Sequence, residues 1–126
     1  MKRLVIGIVT LSLLFSAGLF VASSTQRLYQ PIITLLEEAT QNALKDNFPQ
    51  AVRQAAEAKA IWDSHKKKTA TVADHTPMED IDLMFAEAEI YAKTEETPHF
   101  AACCAQLASM VQNMADAHAM NLWNLL

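Results

Sequence analysis

The chain shows two hydrophobic patterns, an uninterrupted apolar run near its beginning and a helical periodicity in the part that follows. The run covers residues 4–22 and contains no charged residue. Beyond it, apolar residues recur every three or four positions, which is the spacing of one face of an α-helix. This periodicity predicts four further helical segments, approximately Ser24–Lys45, Phe48–Thr71, Pro77–Lys93 and Pro98–Leu122.

Each of the four segments has one apolar face that we expect to pack into a common core. The faces comprise Leu28, Ile32, Leu35, Leu36, Ala39 and Ala43; Ala51, Ala55, Ala58 and Trp62; Ile81, Phe85, Ala88 and Ala92; and Phe100, Cys104, Leu107, Val111, Met114 and His118. Because the connections between the segments are short, successive helices are expected to run antiparallel. The predicted fold is all-α, with these helices arranged as two helical hairpins in an antiparallel four-helix bundle.

Three prolines stand where helices are expected to begin. Proline is tolerated in the first turn of a helix and disfavoured inside it. Thr76-Pro77 and Thr97-Pro98 have the pattern of an N-cap residue followed by the first helical residue, and Asn47 is the expected cap of the segment containing Pro49. Pro31 has no such cap before it, so we expect it to kink a continuing helix.

The composition supports a helical fold because glycine is nearly absent. The chain has 126 residues and 2 glycines, Gly7 and Gly18, and both lie in the apolar run. Tight β-hairpin turns favour glycine or asparagine, and phosphate-binding loops are rich in glycine. We therefore expect neither a β-rich fold nor a phosphate-binding loop after the run, and the turns there are expected to use Pro, Thr, Asn and Asp instead.

The apolar run is long enough to cross a membrane, because 19 helical residues extend about 28 Å and the hydrocarbon core of a bilayer is roughly 30 Å thick. We interpret residues 1–23 as a cytoplasmic tip and transmembrane anchor that contacts membrane lipid through residues 4–22. Residues 24–126 are then an extracytoplasmic helical bundle domain. Two alternatives stay open, a signal peptide cleaved near Val21-Ala22-Ser23 and a helix buried in a soluble protein.

The basic residues predict the orientation of the anchor. Lys2 and Arg3 precede the run and should stay in the cytoplasm by the positive-inside rule, which makes the chain a single-pass protein of the cell membrane. Apart from these two, the chain has eight basic and fourteen acidic residues, a net charge of −6. An acidic exported domain argues against nucleic acid as a partner.

Helix lengths place a few residues near the membrane surface. If the first outer helix leads away from the membrane, the second returns toward it and ends at Lys66, Lys67 and Lys68, which we interpret as a membrane-surface contact. The alternative is that these cations favour the negative end of the helix dipole. The last helix is longer than the third, which brings Trp123 to interfacial depth, where tryptophan is favoured; the alternative is that this tail covers the bundle core.

Candidate chemistry is sparse. Asp74, His75 and His118 are expected at the same end of the bundle and are predicted to form a structural polar cluster. The histidines and carboxylates lack the paired Glu-x-x-His pattern of a di-metal bundle, so we expect no metal, no cofactor, no small-molecule substrate and no enzymatic activity. Cys103 and Cys104 are neighbours on a helix, point about 100° apart and are interpreted as small buried hydrophobic residues.

A weak internal repeat relates the two halves of the outer domain. With a shift of 49 residues, Pro49 aligns with Pro98, and the apolar residues that follow also align. These further pairs are Ala51 with Phe100, Ala55 with Cys104, Ala58 with Leu107, and Trp62 with Val111. The 34-residue period of tetratricopeptide-type arrays is missing. We interpret the similarity as two helix pairs that share a geometry.

Several soft motifs resemble those of a bacterial protein family. They are Met1-Lys2-Arg3 before the apolar run, Asp46-Asn47-Phe48-Pro49-Gln50-Ala51-Val52, Trp62 eleven residues after Ala51, Asp74-His75 before Met78-Glu79-Asp80-Ile81, and the tail Asn121-Leu122-Trp123-Asn124-Leu125-Leu126. Together they resemble the domain-of-unknown-function family 4363, whose members look like small single-span membrane proteins with an outer helical domain. The resemblance implies this topology and no particular chemistry.

The expected function is that of a membrane-anchored helical module with a structural or protein-interaction role in the bacterial envelope, where an unknown envelope protein would be the partner. Two alternatives are kept, a metal- or thiol-dependent site within the bundle and a secreted helical protein produced by signal cleavage.

Overall fold

The computed structural model describes the backbone of residues 1–69 and 75–125, and the side chains of residues 1–20, 27–67 and 77–120. These parts of the chain form four α-helices and no strand. The helices are α1 (Lys2–Leu44), α2 (Phe48–Thr69), α3 (His75–Lys93) and α4 (Thr97–Leu125). The prediction of an all-α protein is confirmed.

Helix α1 is 43 residues long and joins the apolar run to the first amphipathic segment without a break. At 1.5 Å per residue it extends about 65 Å. The segment predicted to start near Ser24 is therefore the second part of α1. Pro31 lies inside α1 and does not end it, because a proline removes only one hydrogen bond of the helix ladder and its exposed ring meets no other helix.

The first part of α1, Lys2–Phe20, is apolar enough to cross a membrane, with a mean hydropathy of 2.0. A signal sequence near the beginning of a chain meets the same criterion. Its large apolar side chains do not pack against the rest of the protein; Leu11, for example, is 71% exposed. Exposed apolar surface of this extent requires lipid or another apolar environment.

The prolines mark helix starts as expected, with small differences in the exact boundary. Helix α2 begins at Phe48 as predicted, whereas α4 begins at Thr97, one residue before Pro98, and α3 begins at His75, two residues before Pro77. All three prolines still lie in the first turn, where a missing N–H group has no partner to lose. Helix α4 continues to Leu125, three residues beyond the predicted end, and the predicted end of α2 at Thr71 lies outside the described residues.

Helix α1 packs against both α2 and α4, α3 packs against α4, and α2 and α3 meet at few residues.

The predicted apolar faces form the core with one clear exception. Leu28 is 50% exposed, and its neighbour Tyr29 is buried instead, with 3% exposure. Both positions fit a three-and-four spacing with Ile32, so only the rotation of α1 against α4 decides between them.

Two turns of the chain use left-handed backbone without glycine. Asp46 has a φ of 59° and Glu95 a φ of 55°. In both turns the residue that follows donates its backbone N–H to a carbonyl five residues earlier, Asn47 to Asn42 at 2.8 Å and Glu96 to Tyr91 at 3.0 Å. This is the hydrogen bond of a Schellman motif. The sequence predicted capping residues at these turns but did not predict the left-handed conformation.

Candidate functional site

The end of the outer helices that faces the apolar segment is organised around Tyr29. Tyr29 lies nine positions after Phe20 in α1, which corresponds to a rise of about 13 Å along the helix axis. The Tyr29 ring is stacked on His118 of α4 and meets His65 of α2 edge-on, with ring centroids 6.2 Å apart in both pairs. We call these three residues the Tyr29 cluster. It joins three helices at one level of the fold.

The predicted polar cluster is only partly within the described side chains. Of its three members, His118 is half-buried and contacts Tyr29. His75 is the first residue of α3, but its side chain lies outside the described residues, and so does the whole of Asp74. The sequence therefore pointed to His118 but not to Tyr29 or His65, because a single aromatic or imidazole side chain forms no recognisable motif.

The lysines predicted to contact the membrane surface have different environments in the structure. The Lys66 ammonium donates to Asp82 Oδ2 of α3 at 2.8 Å. This hydrogen bond raises the pKa of Lys66 above its ordinary value. Lys67 is exposed at the end of α2, and the side chains of Lys68 and Trp123 lie outside the described residues. Of the three lysines predicted to contact the membrane surface, Lys66 is therefore paired within the fold and Lys67 is exposed to solvent.

Asp82 also accepts a hydrogen bond from the core, which sequence reasoning missed. The indole Nε1 of Trp62, a residue only 1% exposed, donates to Asp82 Oδ1 at 2.8 Å. One carboxylate thus satisfies a buried tryptophan and a lysine of the same helix. A second ion pair between these helices joins Lys59 to Glu89 at 3.5 Å. The signal available in the sequence was a matched spacing, because Lys59 and Lys66 on α2 are as far apart as Asp82 and Glu89 on α3.

The two cysteines are buried and free, as the sequence suggested. Burial raises the pKa of the Cys104 thiol to about 12, with a smaller contribution from neighbouring Cys103. Burial also raises the pKa of Cys103, and the Glu87 carboxylate adds to the increase. Because the thiolate is the nucleophile and metal ligand, these environments favour the inert, protonated form of both residues.

The remaining surface feature is an open groove of about 1010 Å³ along α1 and α4. Most of the residues that line it have polar side chains, including Thr34, Glu37, Glu38, Gln41, Gln54, Ser109, Gln112 and Asn113, although carbon atoms form the larger part of its surface. Small-molecule sites are usually enclosed and predominantly apolar, with a few converging polar groups. An open polar groove is instead typical of a solvated surface or of a contact with another macromolecule.

Within the described part of the chain, the interior is entirely apolar. The described residues include no buried charged or polar side chain and no group of three side chains placed to hold a metal ion. The core residues are Ala, Leu, Ile, Val, Phe, Met, Cys, Tyr and Trp. The chemistry available to the described residues is therefore that of their surface.

Comparison with protein families identifies the chain. Residues 19–125 match the model of the family described as "Domain of unknown function (DUF4363)". The chain belongs to this family. The match begins near the end of the apolar segment and includes all of α2, α3 and α4, which confirms the family suggested by the sequence motifs. Neither the curated proteins nor the solved structures gave a match.

Proposed function

We propose that this DUF4363 chain is a single-span membrane protein whose outer helices form an interaction or structural module in the bacterial envelope. The observation that carries the proposal is the continuity of α1, which joins an exposed apolar segment to the buried core without a linker. A continuous helix would hold the outer part at a fixed distance from the bilayer, because bending it would break backbone hydrogen bonds.

The proposed topology places Lys2 and Arg3 in the cytoplasm and α2, α3 and α4 outside it. We further propose that the outer part is an antiparallel four-helix bundle. Support comes from contacts that run in opposite order along α1 and α2, where Asn42 donates to Gln54 at 2.7 Å and Tyr29 meets His65. A reversed order of α1 and α4 is supported by two contacts: Phe48, just after the end of α1, meets Phe100 near the start of α4, whereas Tyr29 meets His118 further along α4.

In this topology the chain meets lipid at three places. Residues 4–22 span the bilayer, Lys67 and Lys68 lie near its surface at the end of α2, and Trp123 lies at the interface near the end of α4. The level of Trp123 follows from the register of α4 against α1, because five residues beyond His118 bring the helix about 7 Å nearer to the span. Tryptophan at that depth favours the headgroup region.

The proposed role is non-enzymatic and needs no cofactor. The apolar interior of the described residues and the two protonated cysteines support this reading, because catalytic sites hold polar groups out of bulk water. The open groove along α1 and α4 is the surface we propose for contact with an envelope protein. Its open shape and its polar lining residues suit a protein surface better than a small molecule.

The anchor is tested by expressing the full chain in a bacterium and measuring its extraction from membranes and the first residue of the mature protein. We expect the intact chain in the membrane fraction, resistant to alkaline extraction. Leu11→Arg should reduce insertion, because a central arginine costs about 2.5–3.5 kcal/mol in a spanning helix. A mature chain that starts near Ser23 would instead establish a cleaved signal and a secreted protein.

The chain offers a matched control for that variant. Leu83 on α3 is 69% exposed, nearly the same as the 71% of Leu11. Leu83→Arg should leave membrane extraction unchanged, since α3 is proposed to lie in water. If both variants increased alkaline extraction equally, the change would reflect misfolding, and the anchor would lose its support.

The groove is tested with a photoreactive amino acid introduced at Ser109, in the groove, or at Ala60, an exposed residue of α2 outside it. We expect a discrete crosslinked species from Ser109 in intact cells and none from Ala60. Equal crosslinking from both positions would contradict a groove-specific contact.

A further inference from the structure

Helix α3 is the least attached of the four helices. It packs mainly on α4 and meets α2 at few residues. Two of its large apolar side chains, Leu83 and Ile90, are exposed on its outer face. Helix α1, by comparison, is held on two sides, by α2 and by α4. Regions with few buried contacts open at a lower free energy than the rest of a protein.

Three polar contacts join α2 to α3. Asp82 accepts from both Trp62 Nε1 and Lys66 Nζ at 2.8 Å, and Lys59 pairs with Glu89 at 3.5 Å. Water replaces polar contacts of this kind when the helices separate, so they stabilise the closed state only modestly, and the two hydrogen bonds to the charged Asp82 carboxylate contribute most of this stabilisation. The Lys59–Glu89 pair is about half exposed on both sides, and such exposed pairs contribute little.

We propose that α3 opens from α2 as a cooperative unit while α1, α2 and α4 stay folded, and that the Asp82 carboxylate is the latch of this opening. Opening removes the hydrogen-bond partner of the Trp62 indole and uncovers that side chain to solvent. The inference concerns the outer helices alone and stands whether or not the apolar segment remains attached.

The latch is assigned to Asp82 because one carboxylate makes both short contacts. Removing it leaves the Trp62 N–H without its partner in the closed state and releases the Lys66 ammonium. The closed state is then destabilised relative to the open state, in which water reaches both groups. The α1–α2 and α1–α4 contacts do not involve Asp82, so their stability should not change.

The test is amide hydrogen exchange of the full-length protein in detergent micelles, read separately for residues 81–90 of α3, 103–111 of α4 and 32–40 of α1. In the wild type we expect α3 to exchange faster than the other two segments. Asp82→Ala should accelerate exchange in α3 about tenfold and leave α1 and α4 unchanged. Asp82→Asn, which keeps an acceptor for Trp62, should give a smaller acceleration.

Asp80→Ala is the matched control, because Asp80 is an exposed aspartate on the same helix, two residues away. It removes the same charge and introduces the same residue, so it should leave exchange in α3 unaltered. Equal exchange rates for α1, α3 and α4 in the wild type would overturn the proposal. So would an equal acceleration of all three segments by Asp82→Asn, or an effect of Asp80→Ala as large as that of Asp82→Ala.

Tryptophan fluorescence gives an independent measurement. Trp123→Phe leaves Trp62 as the only indole of the chain. In that background Asp82→Ala should increase quenching of Trp62 by acrylamide several-fold, because the open state admits solvent to the indole. Unchanged quenching together with faster exchange in α3 would contradict the assignment of Asp82 as the latch over Trp62.

Discussion

Residues 29–62 and residues 78–111 share eight buried positions and one turn at the same relative places, 49 residues apart, but fill six of these positions with different side chains. The turns at Asp46 and Glu95 share a left-handed φ and the same backbone hydrogen bonds. The buried pairs are Tyr29 and Met78, Ile32 and Ile81, Leu36 and Phe85, Ala39 and Ala88, Ala51 and Phe100, Ala55 and Cys104, Ala58 and Leu107, and Trp62 and Val111.

The difference between the halves lies mainly in their second helices. Helix α2 presents three alanines to the core, at Ala51, Ala55 and Ala58, where α4 presents a phenylalanine, a cysteine and a leucine. Large residues on one helix opposite small ones on another allow the helices to interdigitate without voids. The two halves therefore share turn geometry and hydrophobic periodicity, but their second helices contribute unequal side-chain volumes to one core.

The largest effect is expected where the second half supplies volume that the first half lacks. Phe100 is buried and packs edge-on against Phe48, with ring centroids 5.3 Å apart. Phe100→Ala gives the second half the residue found at Ala51 and should lower the free energy of unfolding by about 3–5 kcal/mol. Urea unfolding of the full chain, followed by helical circular dichroism, measures it. The exposed Leu83→Ala should cost less than about 0.5 kcal/mol.

The reverse exchange should cost less. Ala58→Leu gives the first half the residue found at Leu107 and inserts volume into a filled core, so we expect a loss of about 1–3 kcal/mol by the same measurement. Ala60→Leu, on the exposed side of the same helix, is the control and should be nearly neutral. If Ala58→Leu were also neutral, the core beside α2 would contain unfilled space, and the unequal distribution of volume would be disproved.

Of the paired residues Ala55 and Cys104, only Cys104 has a titratable side chain, and this makes its position sensitive to alkaline pH. The pKa of Cys104 is raised to about 12 from 9.0, so above pH 9 the unfolded chain releases a proton that the folded chain retains. Stability is therefore complete below pH 9 and lost as pH rises toward 12. The loss from Cys104 should be about 1.4 kcal/mol at pH 10. Comparing unfolding at pH 8 and pH 10 in wild type and Cys104→Ala isolates this contribution, which the variant should lack.

The smallest effect is expected at the two turns. A left-handed conformation costs a non-glycine residue about 1–2 kcal/mol, and less for aspartate, which tolerates it better than glutamate. Glu95→Gly should therefore raise the free energy of unfolding by up to about 1 kcal/mol, and Asp46→Gly by less. Glu96→Gly, at a position without a positive φ, should lower it. A loss of stability in Glu95→Gly would show that the side chain, rather than the backbone, determines this turn.

Much of the fold could be predicted because it depends on local chemistry. Prolines at helix starts and apolar residues at steps of three and four identify α2, α3 and α4 within two residues at their starts. The continuation of α1 through Pro31 could also be predicted, because no capping residue precedes this proline. Among the described side chains at the end of the helices nearest the apolar segment, Lys66 and His118 were both singled out from the sequence and found in contacts.

The sequence by itself determined the helical class, the exposed apolar segment, the absence of glycine from the outer turns and the family. These follow from composition and periodicity, which act within a few residues. Only the tertiary structure decided that Tyr29 rather than Leu28 is buried, that Tyr29 joins His65 to His118, and that Asp82 joins Trp62 to Lys66. Such pairings depend on how each helix is rotated against its neighbours, and that rotation is fixed by packing volume over the whole core.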